Sequence, residues 1–337
     1  MRDVASMAQV SIGTVSNVIN SPDKVLPATR ERVEKAIAEL GWVPNRQARE
    51  LRAGRGRTIG IAVMDVSNPF FSDILRGAQS VLREEGFTAT VGDADNSVEN
   101  QATVLRAFLE QRVRGVILGP IGGIPDEVFD LARVGIPTVL VDRISRGGQT
   151  CTVGVDDVAG GRIAVEHLVK GGHKTIAVVG GPSTLAQVRD RREGAQQVAD
   201  EAGVRLLSIS TPQLDIASGR NAADELALLP PEERPTAVFC GNDLVAIGML
   251  QGLMAHGFRV PDDIAIIGYD DIEFAAAAAI PLSSVAQPRQ QLGMTAATLL
   301  LAELADRDAG RPHIHQAVTF MPTLVPRLSS ATPSASG

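Results

Sequence analysis

From Thr58 onward, short apolar runs alternate with amphipathic stretches, and the series is played through twice. The runs span 59–64, 88–91, 116–118 and 138–141; after an edge segment at 152–155 they resume at 175–179, 204–208, 237–240 and 264–267. Stretches with helical spacing fall between them, at 74–85, 99–111, 160–170, 191–202 and 244–256. This βαβ alternation predicts parallel sheets covered by helices, and its repetition predicts two doubly wound lobes facing each other. Open parallel sheets bind ligands outside the carboxyl ends of their strands, so a cleft between the lobes is the expected binding place.

Residues 1–57 follow other rules. Val4, Ala5, Ala8, Val10, Val15, Val18 and Ile19 are small or branched, and they are spaced to pack two short helices, 2–9 and 12–19. A third helix is expected over 29–40, with Pro27 and Thr29 fitting its start and Gly41 its stop. Val33, Ala36, Ile37 and Leu40 give it an apolar stripe closing over the first two, and Trp42 is expected against this miniature core. Ser11 is placed to cap the second helix, whose exposed face then carries Ile12, Gly13, Thr14, Ser16 and Asn17. Short, mostly polar side chains of this kind can enter a DNA major groove, whereas a face meant only for solvent more typically carries Glu and Lys.

The formal charge of −7 on the 337-residue chain argues against nucleic acid if taken whole. It is unevenly spread. Residues 1–57 hold ten Lys and Arg against six Asp and Glu, and the remainder holds 22 against 33. A basic reading head on an acidic body gives that split. Cys151 and Cys240 lie in expected strands and read as buried thiols of a reducing compartment. No apolar run reaches membrane-spanning length and no basic-then-apolar leader precedes the first helix, so a cytoplasmic protein without a membrane partner is expected. Residues 329–337, rich in Ser, Ala, Pro and Thr, are expected to be a disordered tail with no coiled-coil heptads.

The motifs come in a specific order. Asp3-Val4-Ala5 leads to Val10-Ser11-x-x-Thr14-Val15-Ser16, then to Pro44-Asn45-x-x-Ala48-x-x-Leu51. Asn68-Pro69-Phe70-Phe71, Val141-Asp142-Arg143, Gly172-His173 with Ile176, Asn242-Asp243, Gly268-Tyr269-Asp270-Asp271 and Gln287-Pro288 follow. On these residues the chain resembles the LacI/GalR family of bacterial transcription regulators over essentially its whole length. Three departures stand out. The family usually has Gly where Gln9 stands, and a positive φ there would cost Gln about 1 kcal/mol. Family members usually carry a few residues, with a capping Thr or Ser, before the first helix, which here nearly begins at Met1. The recognition face also lacks the long polar pair or Arg often seen there.

The resemblance implies a small all-α helix-turn-helix head over 1–43, a hinge helix and linker over 44–57, and a periplasmic-binding-protein-like α/β body over 58–328. Lobe 1 would take about 58–155 and 288–318, lobe 2 about 156–286 and 320–328, with crossings near 155–157, 285–288 and 319–322. It also implies double-stranded operator DNA as partner. Ile12, Gly13 and Asn17 would face base edges: Ile12 can touch a thymine methyl, Gly13 permits close approach, and Asn17 can bond bidentately to adenine. Ser11, Thr14, Ser16 and Asn20 are better placed for phosphates. Asn45 and Arg46 belong to a segment too short to hold a helix alone in water, which by resemblance folds against its copy in the minor groove. Ala48 lets the paired helices approach, Leu51 wedges between base pairs, and Arg46, Arg49, Arg52, Arg55 and Arg57 can neutralise phosphates. As a bare sequence observation, Leu51 docked on the body stays open. Symmetric pairing implies a homodimer on a palindrome.

Asp65, Asn68, Phe70, Arg143, Arg191, Asn242, Asp243 and Asp270 match the family's cleft positions. Asp and Asn can bond vicinal hydroxyls, Arg191 offers a forked donor, and Phe70 or Phe71 can stack on a sugar ring. A turn or cap role for Asp270 stays open. The implied partner is a small polar effector (a sugar, polyol or nucleoside) that changes the lobe angle and so the spacing of the linkers. No cofactor and no chemistry are expected. His167, His173, His256, His313 and His315 are scattered, without His-x-x-x-His spacing or partner cysteines for zinc, and neither a nucleophile elbow nor a phosphate loop occurs. The competing readings are a solute-binding protein for a sugar transporter, which would need a signal peptide and no head, and an enzyme on the same scaffold, which would need a convergent nucleophile or metal.

Overall fold

The computed structural model describes residues 1–42, 56–145 and 148–331. The chain forms two compact units, Met1–Gly56 and Arg57–Gly337.

The first unit contains α1 (Arg2–Met7), α2 (Ile12–Asn20) and α3 (Pro27–Glu39), with a 3-10 turn at Pro22–Lys24. Val4, Ala5, Ala8, Val15, Val18, Val33 and Ala36 make its core, with Val10, Ile19, Ile37 and Trp42 packed at the margin. Gln9 takes φ +51°, the left-handed turn that ends α1 early, and the Val10 N–H then closes onto the Ala5 carbonyl at 3.0 Å. Ser11 caps α2 by accepting the Thr14 N–H at 3.0 Å. α3 begins at Pro27, two residues before its expected start, because proline's fixed φ and missing N–H suit a first helical position. Leu40 does not close over the core. The helix ends at Glu39, Gly41 turns the chain at φ +55°, and Leu40 is left 40% exposed.

Among the described residues the body holds two sheets of six strands. The first contains β1 (Thr58–Val63), β2 (Thr88–Asp93), β3 (Gly115–Leu118), β4 (Thr138–Val141) and β5 (Thr152–Val155). The second contains β6 (Thr175–Gly180), β7 (Arg205–Ser210), β8 (Ala237–Cys240), β9 (Ala265–Asp270) and β10 (Ser283–Ala286). Late in the chain β11 (Ala317–Phe320) adds in parallel to β5, and β12 (Thr323–Val325) adds antiparallel to β10. The strand orders are β11-β5-β4-β3-β1-β2 and β12-β10-β9-β8-β6-β7. Each is therefore doubly wound, with a topological switch between β1 and β3 in one lobe and between β6 and β8 in the other.

Helices α4 (Pro69–Glu84), α5 (Val98–Gln111), α6 (Asp126–Arg133) and α12 (Arg289–Asp308) pack on the first sheet. The second carries α7 (Asp157–Lys170), α8 (Ala186–Ala202), α9 (Ile216–Ala227), α10 (Asp243–Ala255) and the short α11 (Glu273–Ala277). Three helix pairs meet through matched glycines. A methyl on Gly77 of α4 would strike the Gln290 carbonyl of α12, and one on Gly293 would strike that of Ile74. Gly161 and Gly194 hold α7 against α8 in the same way, and Gly219 and Gly248 hold α9 against α10. Backbone-to-backbone contact leaves these helices little room to slide, which fixes the helix starts that face the cleft.

The chain passes between the sheets from β5 to α7, from β10 to α12, and from β11 to β12. Phe320 still belongs to the first sheet, two residues past the boundary expected for that lobe. The tail expected from residue 329 does not begin there. Ser329 is fully buried, donating to the Ile266 carbonyl at 2.6 Å and accepting from the Ser283 N–H at 2.8 Å, and Ser330 is buried beside it.

Candidate functional site

A polar cavity of about 330 Å³ opens at the carboxyl ends of both sheets, large enough for a small ligand. Of the expected cleft residues, Asp65, Asn68, Phe70, Phe71, Arg191, Asn242 and Asp270 line it. Asn68 caps α4 by accepting the Phe70 N–H at 3.0 Å, and Asn242 caps α10 by accepting the Val245 N–H at 2.9 Å. A helix start from each lobe thus faces the same space. Asp65 accepts from the Ser67 N–H at 2.8 Å and hydroxyl at 2.6 Å, and from Asn96 Nδ2 at 3.3 Å. Phe70 and Phe71 meet edge-to-face, centroids 5.0 Å apart, and form an apolar wall.

Two carboxylates sit at equivalent ends of the two sheets: Asp142 just after β4, and Asp270 at the end of β9. Both have left-handed backbone, φ +58° and +98°, which costs a non-glycine residue on the order of 1–2 kcal/mol. Asp270 Oδ1 accepts from Gln287 Nε2 at 2.7 Å. Asp142 Oδ2 accepts from Gln187 Nε2 at 3.3 Å, and Gln187 belongs to α8 of the opposite lobe. Asp142 Oδ1 is buried with no hydrogen-bond partner among the described residues.

Arg191 is 4% exposed and organises the floor. Its Nε donates to Asp157 Oδ1 at 2.7 Å, its Nη1 donates to the Gly241 carbonyl at 2.6 Å, and Asp270 Oδ1 lies 4.0 Å away. The guanidinium stacks over the Tyr269 ring, 3.6 Å from its centroid. Burial works against its charge, yet Asp157, Tyr269, Asp270 and Asp142 more than offset this and hold its pKa above the ordinary value. Burial pushes Asp270 up to about 6 despite Arg191 and the Gln287 hydrogen bond. It pushes Asp142 well above the usual carboxylate range, with Asp157 adding to the effect.

Asp243 and Arg143 do not line the cavity. Asp243 is fully buried, with one oxygen accepting from Ser284 Oγ at 2.7 Å and the other from the Ile272 N–H at 2.8 Å, so it braces β10 and the end of β9. Arg143 lies one residue beyond Asp142, outside the lining. The sequence reading missed Met64, Ser67, Asp95, Asn96, Asp142, Gln187, Gln213, Leu214 and Asp215, all of which line the space. Asp142 was within reach, since it follows an apolar strand just as Asp270 does.

In the first unit, Ser11, Ile12, Gly13 and Asn17 are exposed, while Thr14 and Ser16 are half-buried. The Ser11 and Thr14 hydroxyls lie 2.9 Å apart and bond each other. Asn20 ends α2. Asn45, Arg46, Ala48, Arg49, Leu51, Arg52 and Arg55 lie outside the described residues. Arg57 Nη1 donates to the Gly86 carbonyl at 3.4 Å. Among the described residues no helix is long and apolar enough to cross a membrane.

Two family models match the chain. Residues 1–45 match bacterial regulatory proteins of the lacI family, and residues 165–330 match a periplasmic binding protein-like domain. The HTH-type transcriptional repressor PurR of Aliivibrio fischeri (strain MJ11) is 32% identical over 98% of this chain and 97% of its own length. The HTH-type transcriptional repressor CytR of Escherichia coli (strain K12) is 33% identical over 92% of this chain and 91% of its own. Among solved structures, a complex of the transcriptional regulator CelR with cellobiose superposes with TM-score 0.73 at 32% identity, covering 97% of this chain and 98% of that one. The lac repressor dimer bound to operator and the anti-inducer ONPF superposes with TM-score 0.79 at 28% identity, with the same coverage.

Proposed function

The chain belongs to the lacI family of bacterial regulatory proteins and is a DNA-binding transcriptional repressor with an effector-binding body; we propose that it works as a homodimer on a palindromic operator, its grip set by a small, neutral, hydroxyl-rich ligand in the cleft. The ligand class follows from charge. Besides Asp142 and Asp270, whose pKa burial raises, the described lining has three aspartates (Asp65, Asp95 and Asp215) against the single cation Arg191, already committed to Asp157 and Gly241. A phosphate ester or carboxylate would meet repulsion there, whereas hydroxyls can donate to the carboxylates while a sugar face rests on Phe70 and Phe71. The observation that carries the reading is Asp142 Oδ1, a buried carboxyl oxygen with no hydrogen-bond partner among the described residues, which a ligand hydroxyl can satisfy. The cellobiose complex of CelR supports the same class.

Closing the lobes around such a ligand changes the strand-end geometry and, through the linker, the spacing of two heads. Ile12, Gly13 and Asn17 read bases, Ser11, Thr14, Ser16 and Asn20 hold phosphates, and Asn45, Arg46, Ala48 and Leu51 engage the minor groove. A transcriptional role places the protein in the cytoplasm with the DNA. Calorimetric titration of the full-length chain with neutral sugars, polyols and nucleosides, set against their phosphate esters, tests the ligand class. A neutral ligand is expected to bind and to change operator affinity, and preference for a phosphate ester overturns the assignment. Leu51→Ala is expected to weaken operator binding far more than nonspecific binding in a salt-controlled titration; equal losses refute the wedge.

A further inference from the structure

Four metal-ligating side chains meet where sequence spacing gave no expectation of a metal. Cys151 stands just before β5, His313 and His315 just before β11, and Glu303 lies in α12, with their donor atoms all within 4.8 Å of one another. Cys151 Sγ is 3.3 Å from His313 Nε2 and 3.8 Å from His315 Nδ1, and His315 Nδ1 is 3.9 Å from Glu303 Oε2. Donors around a tetrahedral zinc ion, with bonds of about 2.0–2.3 Å, stand about 3.3–3.8 Å apart. The cluster is close to that spacing already.

Its surroundings fit a metal site as well. Glu303 is 7% exposed, and its Oε2 is buried with no hydrogen-bond partner among the described residues. His313 Nδ1 bonds Asp306 Oδ2 at 2.9 Å, which turns the Nε2 lone pair toward the cluster, as an outer carboxylate does for a ligating histidine. Asp306 is itself held by Arg311, whose Nε and Nη2 donate to it at 3.1 and 2.8 Å. The Gln316 N–H donates to Cys151 Sγ at 3.4 Å, a contact suited to a thiolate. The cluster lies at the amino ends of β5 and β11, whereas the effector cavity opens at the carboxyl ends of the strands, so the two sites are separate.

We propose that Cys151, Glu303, His313 and His315 bind one divalent transition-metal ion, with zinc the best match. A thiolate and two imidazoles with one carboxylate select a borderline-soft cation over calcium or magnesium, and four protein ligands make a closed, structural site. The ion ties together β5, α12 and β11, the three first-lobe elements at which the chain crosses between the lobes. It therefore sets the stiffness of the frame about which the lobes turn.

The test uses the full-length chain, stripped of metal by a chelator and titrated with Co²⁺ and then Zn²⁺. One equivalent of Co²⁺ is expected to give intense tetrahedral visible bands and a near-ultraviolet thiolate-to-cobalt band, both displaced by Zn²⁺. Cys151→Ser is expected to abolish the thiolate band and Cys240→Ser to keep it. Asp306→Asn, altering a partly exposed side chain that touches no metal, is expected to weaken Zn²⁺ binding about 10–100-fold and keeps the test decisive should Cys151→Ser not fold. A missing thiolate band, a band that survives Cys151→Ser, or Zn²⁺ affinity unchanged in Asp306→Asn overturns the proposal.

Discussion

The head and the cleft place their polar groups in opposite ways. In the head, Ser11, Ile12, Gly13 and Asn17 lie exposed along α2 and its cap, while Val15 and Val18 of that helix join a seven-residue core of Val and Ala. In the cleft, Arg191, Asp270, Asn242 and Asn68 are each nine-tenths buried or more, and most of their hydrogen-bonding capacity is spent on the protein itself. A surface that must meet a long, hydrated polyanion stays open and costs the fold little. A pocket that must distinguish small molecules is built from desolvated groups whose balance is part of the fold's stability. Substitutions should therefore separate binding from stability in the head and fail to separate them in the cleft.

The largest effect is expected at Arg191. Replacing it with Met keeps much of the volume but leaves Asp157 without its 2.7 Å partner and removes the cation facing Asp270 and Asp142. Breaking a buried pair of this kind costs about 3–5 kcal/mol. Urea unfolding of the chain should show a loss of that order together with loss of effector binding. A loss under about 1 kcal/mol would mean that the cleft is no more a part of the folding balance than the head is.

Next comes Asp270, whose pKa rises to about 6 in the fold against 3.8 for the free carboxyl. Between these values the folded chain keeps a proton that the unfolded chain gives up, so this group makes stability fall as pH rises from about 4 to about 6. At about 1.4 kcal/mol per unit, the fall amounts to at most about 3 kcal/mol. Asp270→Asn should flatten the stability profile across that window, with the buried Asp142 and Asp243 still contributing slope of the same sign. A profile as steep as that of the unaltered chain contradicts the burial argument.

The same contrast explains what the sequence could tell. The head's apolar residues recur at helical spacing, so Val15 and Val18 fall inward and Ile12 and Asn17 outward from spacing alone. In the cleft, Asp65 and Asp270 came from the family resemblance, and each also stands near the end of an apolar run. Gln187 was not, because its contact with Asp142 joins residues 45 apart in sequence and it reads as an ordinary polar helix position. Asp243 misled because it follows Asn242 at a strand end, yet it turns into the lobe instead of the cavity. α12, the longest helix among the described residues, was missed altogether, since its apolar residues are spread around it to meet both α4 and the sheet. The Cys151–His313 contact spans 162 residues, and no motif spacing records such a meeting.

Asn17 gives an effect confined to binding. Asn17→Ala removes an exposed side chain from α2, so unfolding should shift by less than about 0.5 kcal/mol. Operator discrimination should fall by about 1–3 kcal/mol at one base pair, measured by anisotropy with operator variants at fixed salt. A uniform loss across all sequences would move Asn17 to the phosphate-contacting group.

Gly13 gives the smallest effect and the sharpest contrast between the two regions. Glycine within a helix costs about 1 kcal/mol relative to alanine, so its presence in α2 wants a reason. Packing does not supply one, because a methyl there would meet only Ser11 Oγ at 3.5 Å, an ordinary contact. The remaining demand is from outside the fold, where a bare backbone lets the helix sit closer to base edges. Gly13→Ala should therefore raise the head's stability by roughly 0.5–1 kcal/mol while weakening operator binding. The matched glycines of the body should behave in the opposite way, since Gly161→Ala drives a methyl into the Arg191 carbonyl and must destabilise. If Gly13→Ala leaves operator affinity unchanged, the glycine is not there for DNA, and the separation of reading from folding in the head fails at its most exposed point.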